Sequence, residues 1–416
     1  VIARLSAYDA FFLAYQRRAR IAMHLGLDLE LAGALDPAAL DRAVSAVIAR
    51  WPELGSVVRV RALGLSYEPL PDARARIVRP LAEAEAAVDR AINEEIDPFA
   101  EPPWTVHARS EGDVHRIVLR AHHAVADGEL FVMIAEEFVA ALAAPSHARS
   151  VASRTAIARA SLARRPSWLE RLSDKRRRDE RVARDEHQRL PLACVAPGPC
   201  AVTSERLDAR AWSRVTQRSI DARTSVALWV IAAWVRAVHR ASERGEGRVA
   251  VEVPVSVRRR EGLFDRVGNY IAPVVLFVDG SAPIDRVARA LRASLRSAVA
   301  MGQLETDRAL AAPGSLLPWA LFERVAVTPT TTGNASTHVA ALGVERSPWA
   351  SLSDRSQGRL ELRRFVPFSP VCLKMGAALS AVCAPDEAAL SVTYRRNAMS
   401  DHAARALLAQ TLAELA

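Results

Sequence analysis

The stretch that decides the fold is His122-His123-Ala124-Val125-Ala126-Asp127-Gly128, which places two histidines, an acid and a glycine within seven residues. Toward the N-terminus, His115 to His123 alternate as a half-buried strand does. Ile117, Leu119, Ala121 and His123 share one face, while Val118, Arg120 and His122 share the other. Toward the C-terminus, Leu130, Ile134, Phe138 and Leu142 recur at helical spacing. The histidines thus stand where a strand ends and turns toward a helix, a place from which a side chain projects into a cleft. A neutral histidine there can accept a proton near physiological pH, which is what activating an alcohol or amine requires. His122 has the opposite facing, so the spacing predicts packing or a fixed hydrogen bond for it.

The rest of the chain supplies a second set of strands and helices. Asp36-Pro37 reads as N-cap and first position of a helix with Leu40, Val44, Val47 and Trp51 on one face. Arg223 to His239 reads as a buried helix, Arg248 to Arg258 and Ile271 to Val278 as strands, and Ile284, Val287, Leu291 and Leu295 as an amphipathic helix. Ala389 to Arg395 is a further strand, and Asp401 starts a closing helix. No repeat of solenoid length is present. The pattern predicts an α/β protein of two halves with a cleft between them: residues 1–150, an arginine-rich helical connection over 151–189, and 190–416.

Composition agrees. The chain has 416 residues, half of them hydrophobic, enough for a large core or two subdomains. No apolar run reaches the roughly 18 residues needed to cross a bilayer. The N-terminus lacks a signal pattern, and Val1 suggests a trimmed or processed start. Cys194, Cys200, Cys372 and Cys383 form neither a CxxC pair nor a dense framework. Reduced thiols in the cytoplasm are therefore expected, ahead of a Cys194–Cys200 bridge.

The turn itself resembles the HHxxxDG signature of the chloramphenicol-acetyltransferase-like superfamily, which includes condensation domains, polyketide-associated acyltransferases and wax ester synthases; His122, His123, Asp127 and Gly128 fill all its fixed positions. Leu5-Ser6-Ala7-Tyr8-Asp9-Ala10-Phe11-Phe12-Leu13 is similar to the opening segment of wax ester synthases, and Arg50-Trp51-Pro52-Glu53-Leu54 to a helix end of condensation domains. Asp97-Pro98-Phe99, Pro102-Pro103-Trp104, Val253-Pro254-Val255-Ser256-Val257-Arg258 and Val267-Gly268-Asn269-Tyr270 follow in the order of those families. Two features depart from them. The Asn-Asp pair of wax ester synthases is missing at Thr224-Ser225-Val226-Ala227, and Gly55-Ser56 stand where condensation domains carry an arginine.

The resemblance implies two chloramphenicol-acetyltransferase-like α/β sandwich subdomains with an active-site channel between them. It implies an acyltransferase of specialised metabolism with His123 as catalytic base. No tightly bound cofactor is expected; a coenzyme A or phosphopantetheine thioester would be the co-substrate. The donor would be an acyl-CoA or an acyl-carrier protein, and the acceptor a small-molecule or carrier-bound alcohol or amine. The absence of a G-x-S-x-G elbow agrees with direct transfer without an acyl-enzyme. Asp127 is expected to pair with an arginine, with Arg59, Arg61 and Arg258 as candidates, and Gly128 to permit a backbone angle or a close approach.

Oxyanion donors are sought at a backbone N–H near Gly128, among Thr328, Thr330, Thr331 and Asn334, and at Asn269, which is also a candidate channel residue. The alternatives are an amide-forming condensation domain of a peptide assembly line and a catalytically silent module that docks carrier proteins. His24, His107, His239 and His338 are expected in ordinary surface or core roles, and their spacing gives no metal pattern.

The net charge of +9 is concentrated in Arg154 to Arg189, with the run Lys175-Arg176-Arg177-Arg178. Interspersed Glu170, Asp174, Asp179 and Glu180 favour a solvated helical face. A docking face for an acidic carrier protein or coenzyme A phosphates is the sharper alternative. Nucleic-acid binding is not expected, because zinc-finger spacing and RNP-like aromatics are missing.

Overall fold

The computed structural model describes residues 3–36, 38–81, 87–143, 166–184, 187–242, 247–327, 335–344, 352, 356 and 358–416. Strands are numbered in chain order. The alternating segment before the motif becomes β6 (Val114–His122), paired antiparallel with β1 (His24–Gly33) so that His122 faces His24 across the ladder. β5 (Trp104–Glu111) and β4 (Val78–Pro80) extend the sheet on one side. On the other, β12 (Leu360–Phe368) covers β1, giving the order β12-β1-β6-β5-β4. That strand arrives from far along the chain, so an edge that the first half leaves open is paired by the second. β2 (Ser56–Val60) and β3 (Leu65–Pro69) form a separate hairpin.

Period-two burial sets the two faces of the first sheet. Ile117, Leu119 and Ala121 enter the main core with the Ala7–Ala19, Ala39–Arg50 and Gly128–Ala143 helices, whereas Val118 turns to a smaller cluster with Leu81, Ile92 and Phe368. The Ala39–Arg50 helix starts later than expected. Its N-cap is Ala38, without a side-chain cap, because Asp36 accepts from Ala38 N at 2.9 Å and from Arg42 at 2.6 Å as part of the preceding turn.

The second sheet has the order β10-β9-β11-β13-β14-β8, with β7 (His187–Gln188) paired to β9. Its strands are β8 (Cys200–Leu207), β9 (Arg248–Ser256), β10 (Ile271–Val278), β11 (Thr337–Gly343), β13 (Ala377–Cys383) and β14 (Ala388–Arg395). Val249, Val251, Val253, Val339 and Leu379 pack with the Val226–Ala241, Ile284–Ala300 and Asp401–Leu415 helices. Ser225 and Ser400 start two of these helices by accepting from Leu228 N and Ala403 N. The alternate residues, including Glu252, His338 and Leu342, turn toward the first half. Contact there is close: a Cβ on Gly128 would stand 3.1 Å from Leu342 Cδ1.

Polar ties cross the same boundary. Arg50, which also holds Glu137 within the first half, reaches Asp265 at 2.7 Å, and Ser256 Oγ donates to Glu129 at 2.7 Å. All four cysteines are free thiols. Among the described residues no helix is long and apolar enough to cross a membrane.

Candidate active site

β6 ends at His122, and the chain turns through His123 to Ala126 before the Gly128–Ala143 helix begins. The two histidines part at this turn. The His122 imidazole is fully buried on the Val118–Arg120 side; its Nδ1 accepts from Ala124 N at 3.0 Å and its Nε2 has no partner among the described residues. Burial, with His24 and His123 nearby, holds its pKa well below the ordinary histidine value.

His123 turns to the boundary between the halves. Its ring stacks on Phe12 at 4.3 Å and 17°, its backbone N–H donates to Met23 O at 2.7 Å, and Asn269 Nδ2 lies 2.6 Å from the ring Nδ1. The same amide nitrogen donates to the His123 carbonyl. Desolvation lowers the pKa of His123 to about 4, against the opposing pull of the His123 and Ala126 carbonyls beside the ring. The imidazole is therefore neutral at pH 7.

Asn269 is held in turn by the first helix. Ser6 and Asp9 form a capping box, with Ser6 Oγ to Asp9 Oδ2 at 2.6 Å, and the other Asp9 oxygen accepts from Asn269 N at 2.6 Å. Burial raises the Asp9 carboxyl to about 6. A residue in the first turn of the chain thereby fixes the residue that fixes the imidazole.

Asp127 faces away from this cluster. Arg258 pairs with it at 2.7 Å, both side chains being fully covered, while Arg59 and Arg61 are engaged by Glu68 instead. Every other polar group of the pair is used as well. Asp127 accepts from Leu130 N and Tyr270 N, each at 2.9 Å, and Arg258 donates to the carbonyls of Leu263, Arg266 and Gly268. The pair clamps the loop carrying Asn269 onto the motif turn, reinforced by Gly268 N to Val125 O at 2.8 Å. Gly128 has no left-handed backbone; the tight approach of Leu342 is what its missing side chain permits.

A cavity of about 460 Å³ opens beside Asn269, lined also by Tyr8, Tyr270, Glu261, Glu305 and Arg308. Burial pushes the Tyr8 phenol well above its usual range, so it stays a proton donor on this wall. Asn269 borders the cavity, but its amide nitrogen is committed to His123. Thr330 and Asn334, with Thr328 and Thr331, lie outside the described residues. Near Gly128, the Leu130 N–H is taken by the Asp127 carboxylate and the Phe131 N–H by the Asp127 carbonyl.

Sequence reasoning singled out His123, Asp127, Gly128, Asn269 and Arg258. It missed Asp9, Phe12 and Tyr8 as neighbours of the site, although all three stand in the quoted opening segment; the Ser6-x-x-Asp9 capping pattern was the available signal. Of the unplaced histidines, His24 and His107 are buried, with pKa values pushed down to about 3 and about 4 by burial. His239 Nδ1 contacts Gln188 at 2.8 Å, and His338 pairs with Glu252 at 3.1 Å. Among the described residues no group of three or more His, Cys, Asp or Glu could hold a metal ion.

No protein-family model matches the chain, and no curated protein matches it in sequence. Solved structures do. The first condensation domain of the calcium-dependent antibiotic synthetase, in complex with a substrate analogue, superposes with a TM-score of 0.66 at 18% identity, covering 100% of this chain and 95% of that one. The starter condensation domain of rhizomide synthetase, in complex with C8-CoA, gives 0.66 at 16% identity over 100% and 94%. The X-domain from teicoplanin biosynthesis, in complex with OxyB, gives 0.55 at 18% over 99% and 92%. The chain therefore has the condensation-domain fold, with its two α/β halves.

Proposed function

We propose that this chain is an acyltransferase that moves an acyl group from a phosphopantetheine thioester directly to a hydroxyl or amine, with His123 as general base. The observation that carries this reading is the neutral imidazole of His123, oriented by Asn269 and Phe12 at the boundary of the two halves, with the cavity beside Asn269. As the acceptor attacks the thioester carbonyl carbon, His123 takes its proton and returns it to the departing sulfur. Tyr8 is the donor on the cavity wall for the developing oxyanion. Asp127 acts as a clamp, because both its oxygens are committed to Arg258 and to backbone N–H groups.

The donor is an acyl-CoA or an acyl-carrier protein, in keeping with the C8-CoA of one structural neighbour. The Trp168–Ala183 helix carries Lys175 to Arg178 and suits the phosphates or an acidic carrier surface. The fold shared with antibiotic-synthetase domains supports a role in specialised metabolism, including amide formation on a peptide assembly line. Free thiols support the cytoplasm as its compartment. We take residues 1–150 and 190–416 as the two subdomains, with β12 returning to the first. A second reading, a silent docking module, draws on the X-domain captured with OxyB.

Transfer assays with acyl-CoA and acyl-carrier-protein donors, against alcohol and amine acceptors, separate these readings. His123→Ala should keep the fold and lower transfer by a factor on the order of 100 or more. Undiminished activity in that variant would sink the base assignment. No transfer from any donor, with carrier protein still bound, would favour the docking module.

A further inference from the structure

A base that takes a proton becomes a cation, and at His123 that cation is buried. The residue is 8% exposed, and burial is the largest force keeping its ring neutral. A catalytic histidine is commonly offset by a carboxylate at its far ring nitrogen. Here no carboxylate takes that place. Asp127 gives both oxygens to Arg258 and to the Leu130 and Tyr270 N–H groups. Asp9 stands behind Asn269, with its oxygens on Ser6 and on the Asn269 N–H. What meets the ring Nδ1 is the Asn269 amide nitrogen, a donor that offers a cation nothing. His338, when charged, disfavours the cation further, while the His123 and Ala126 carbonyls favour it.

The remaining neighbour is a π face. Phe12 lies against the imidazole with ring centroids 4.3 Å apart and planes 17° apart, so the two rings stack face to face. A benzene face carries the negative part of the ring quadrupole, and a cation within about 6 Å of the centroid is drawn to it. Exclusion of water strengthens that attraction, and both residues are only 8% exposed. A neutral imidazole gains less from the same face. The contact therefore tightens as the proton arrives, which is what an interaction must do to lower a barrier.

The first helix holds Phe12 in this position. Tyr8, Phe11, Phe12 and Tyr15 follow the i, i+3, i+4, i+7 spacing of one stripe of the Ala7–Ala19 helix. Tyr8 and Phe11 meet the Phe12 ring in T-shaped contacts at 5.6 and 5.5 Å, and Tyr15 stacks on Phe11 at 5.8 Å. These contacts fix the plane of the Phe12 ring against His123.

We propose that Phe12 is a positioning residue that acts through His123, its π face stabilising the transient imidazolium where no carboxylate does. The acceptor's O–H or N–H bond breaks, its electron pair forms the bond to the thioester carbonyl carbon, and the proton goes to the imidazole. The C–S bond then breaks with its pair on sulfur, and the imidazolium returns the proton there. The ring is charged only between these steps. This inference rests on the reading of His123 as the general base.

The test replaces Phe12, in the full chain, by phenylalanines carrying one, two and three ring fluorines. Fluorine drains the π face while nearly keeping the shape of the ring. With an acyl-CoA donor and the better of an alcohol and an amine acceptor, kcat should fall in even logarithmic steps. Three fluorines should leave about a tenth of the wild-type value or less, with KM and melting temperature held. Phe12→Leu, which keeps bulk without a π face, should lose at least as much kcat. A flat kcat across the fluorinated series, a fully active Phe12→Leu, or losses that track melting temperature would overturn the proposal and leave His123 in place. Full activity of His123→Ala, or no transfer by wild type, would overturn the base reading and this inference together.

Discussion

Two sets of charges divide this molecule. At the boundary of the halves, Arg258 and Asp127 are 0% exposed and every hydrogen-bonding group of the pair has a partner. On the Trp168–Ala183 helix, Arg176 is 83% exposed, and it pairs with Glu180 one helical turn away. The chemistry of the pairs is alike; the surroundings differ. In a dry interior, removing one partner strands the other and costs about 3–5 kcal/mol, whereas an exposed pair one turn apart contributes about 0.3–0.5 kcal/mol. The first set is architecture and the second is surface available to a partner.

The sharpest way to break this contrast is Arg258→Met. It should destabilise the fold by about 3–5 kcal/mol in denaturant titrations and release the Asn269 loop from the motif turn. A loss below about 1 kcal/mol would mean that Asp127 finds another partner or water. Next in size is an effect of pH. His24, His107, His122 and His123 all have folded-state pKa values lowered by burial. An unfolded histidine titrates near 6.5, so below that pH the unfolded chain binds protons that the folded one refuses. Stability should be full above about pH 6.5 and fall as pH drops toward about 4, with proton uptake on unfolding. A flat melting temperature across that window would contradict the buried, neutral state of these rings.

The smallest effect on stability is expected at the surface. Arg176→Gln with Arg177→Gln should change stability by less than about 1 kcal/mol. It should weaken a carrier protein more than free coenzyme A, most visibly at low salt. Equal loss with both donors would point to a phosphate site on this helix instead.

Much of the fold was legible because its signals are local. Alternation before the motif, the helical stripe after it and the run Ile271 to Val278 are periodicities that survive in any context. The alternation also separated the two histidines, since neighbours on a strand point apart. Less legible were features made by pairing across the chain. Nothing local marks β12 as the outer strand of the first sheet, or His338 as the register partner of Glu252. The cap expected at Asp36 moved because its carboxylate is used in the turn before the helix.

The sequence by itself determined the strand-turn-helix around His122 to Gly128, the alternation that separates the two histidines, and the excess of positive charge on one connecting segment. Each of these depends only on residues within a few positions of one another. Tertiary structure decided that Arg258, rather than Arg59 or Arg61, meets Asp127, that Asp9 holds Asn269 against His123, and that Glu252 pairs with His338 across β9 and β11. These are contacts between residues more than 80 positions apart. Which of several similar side chains makes such a contact is fixed by sheet register and by the packing of the two halves, and neither is written in any short stretch of chain.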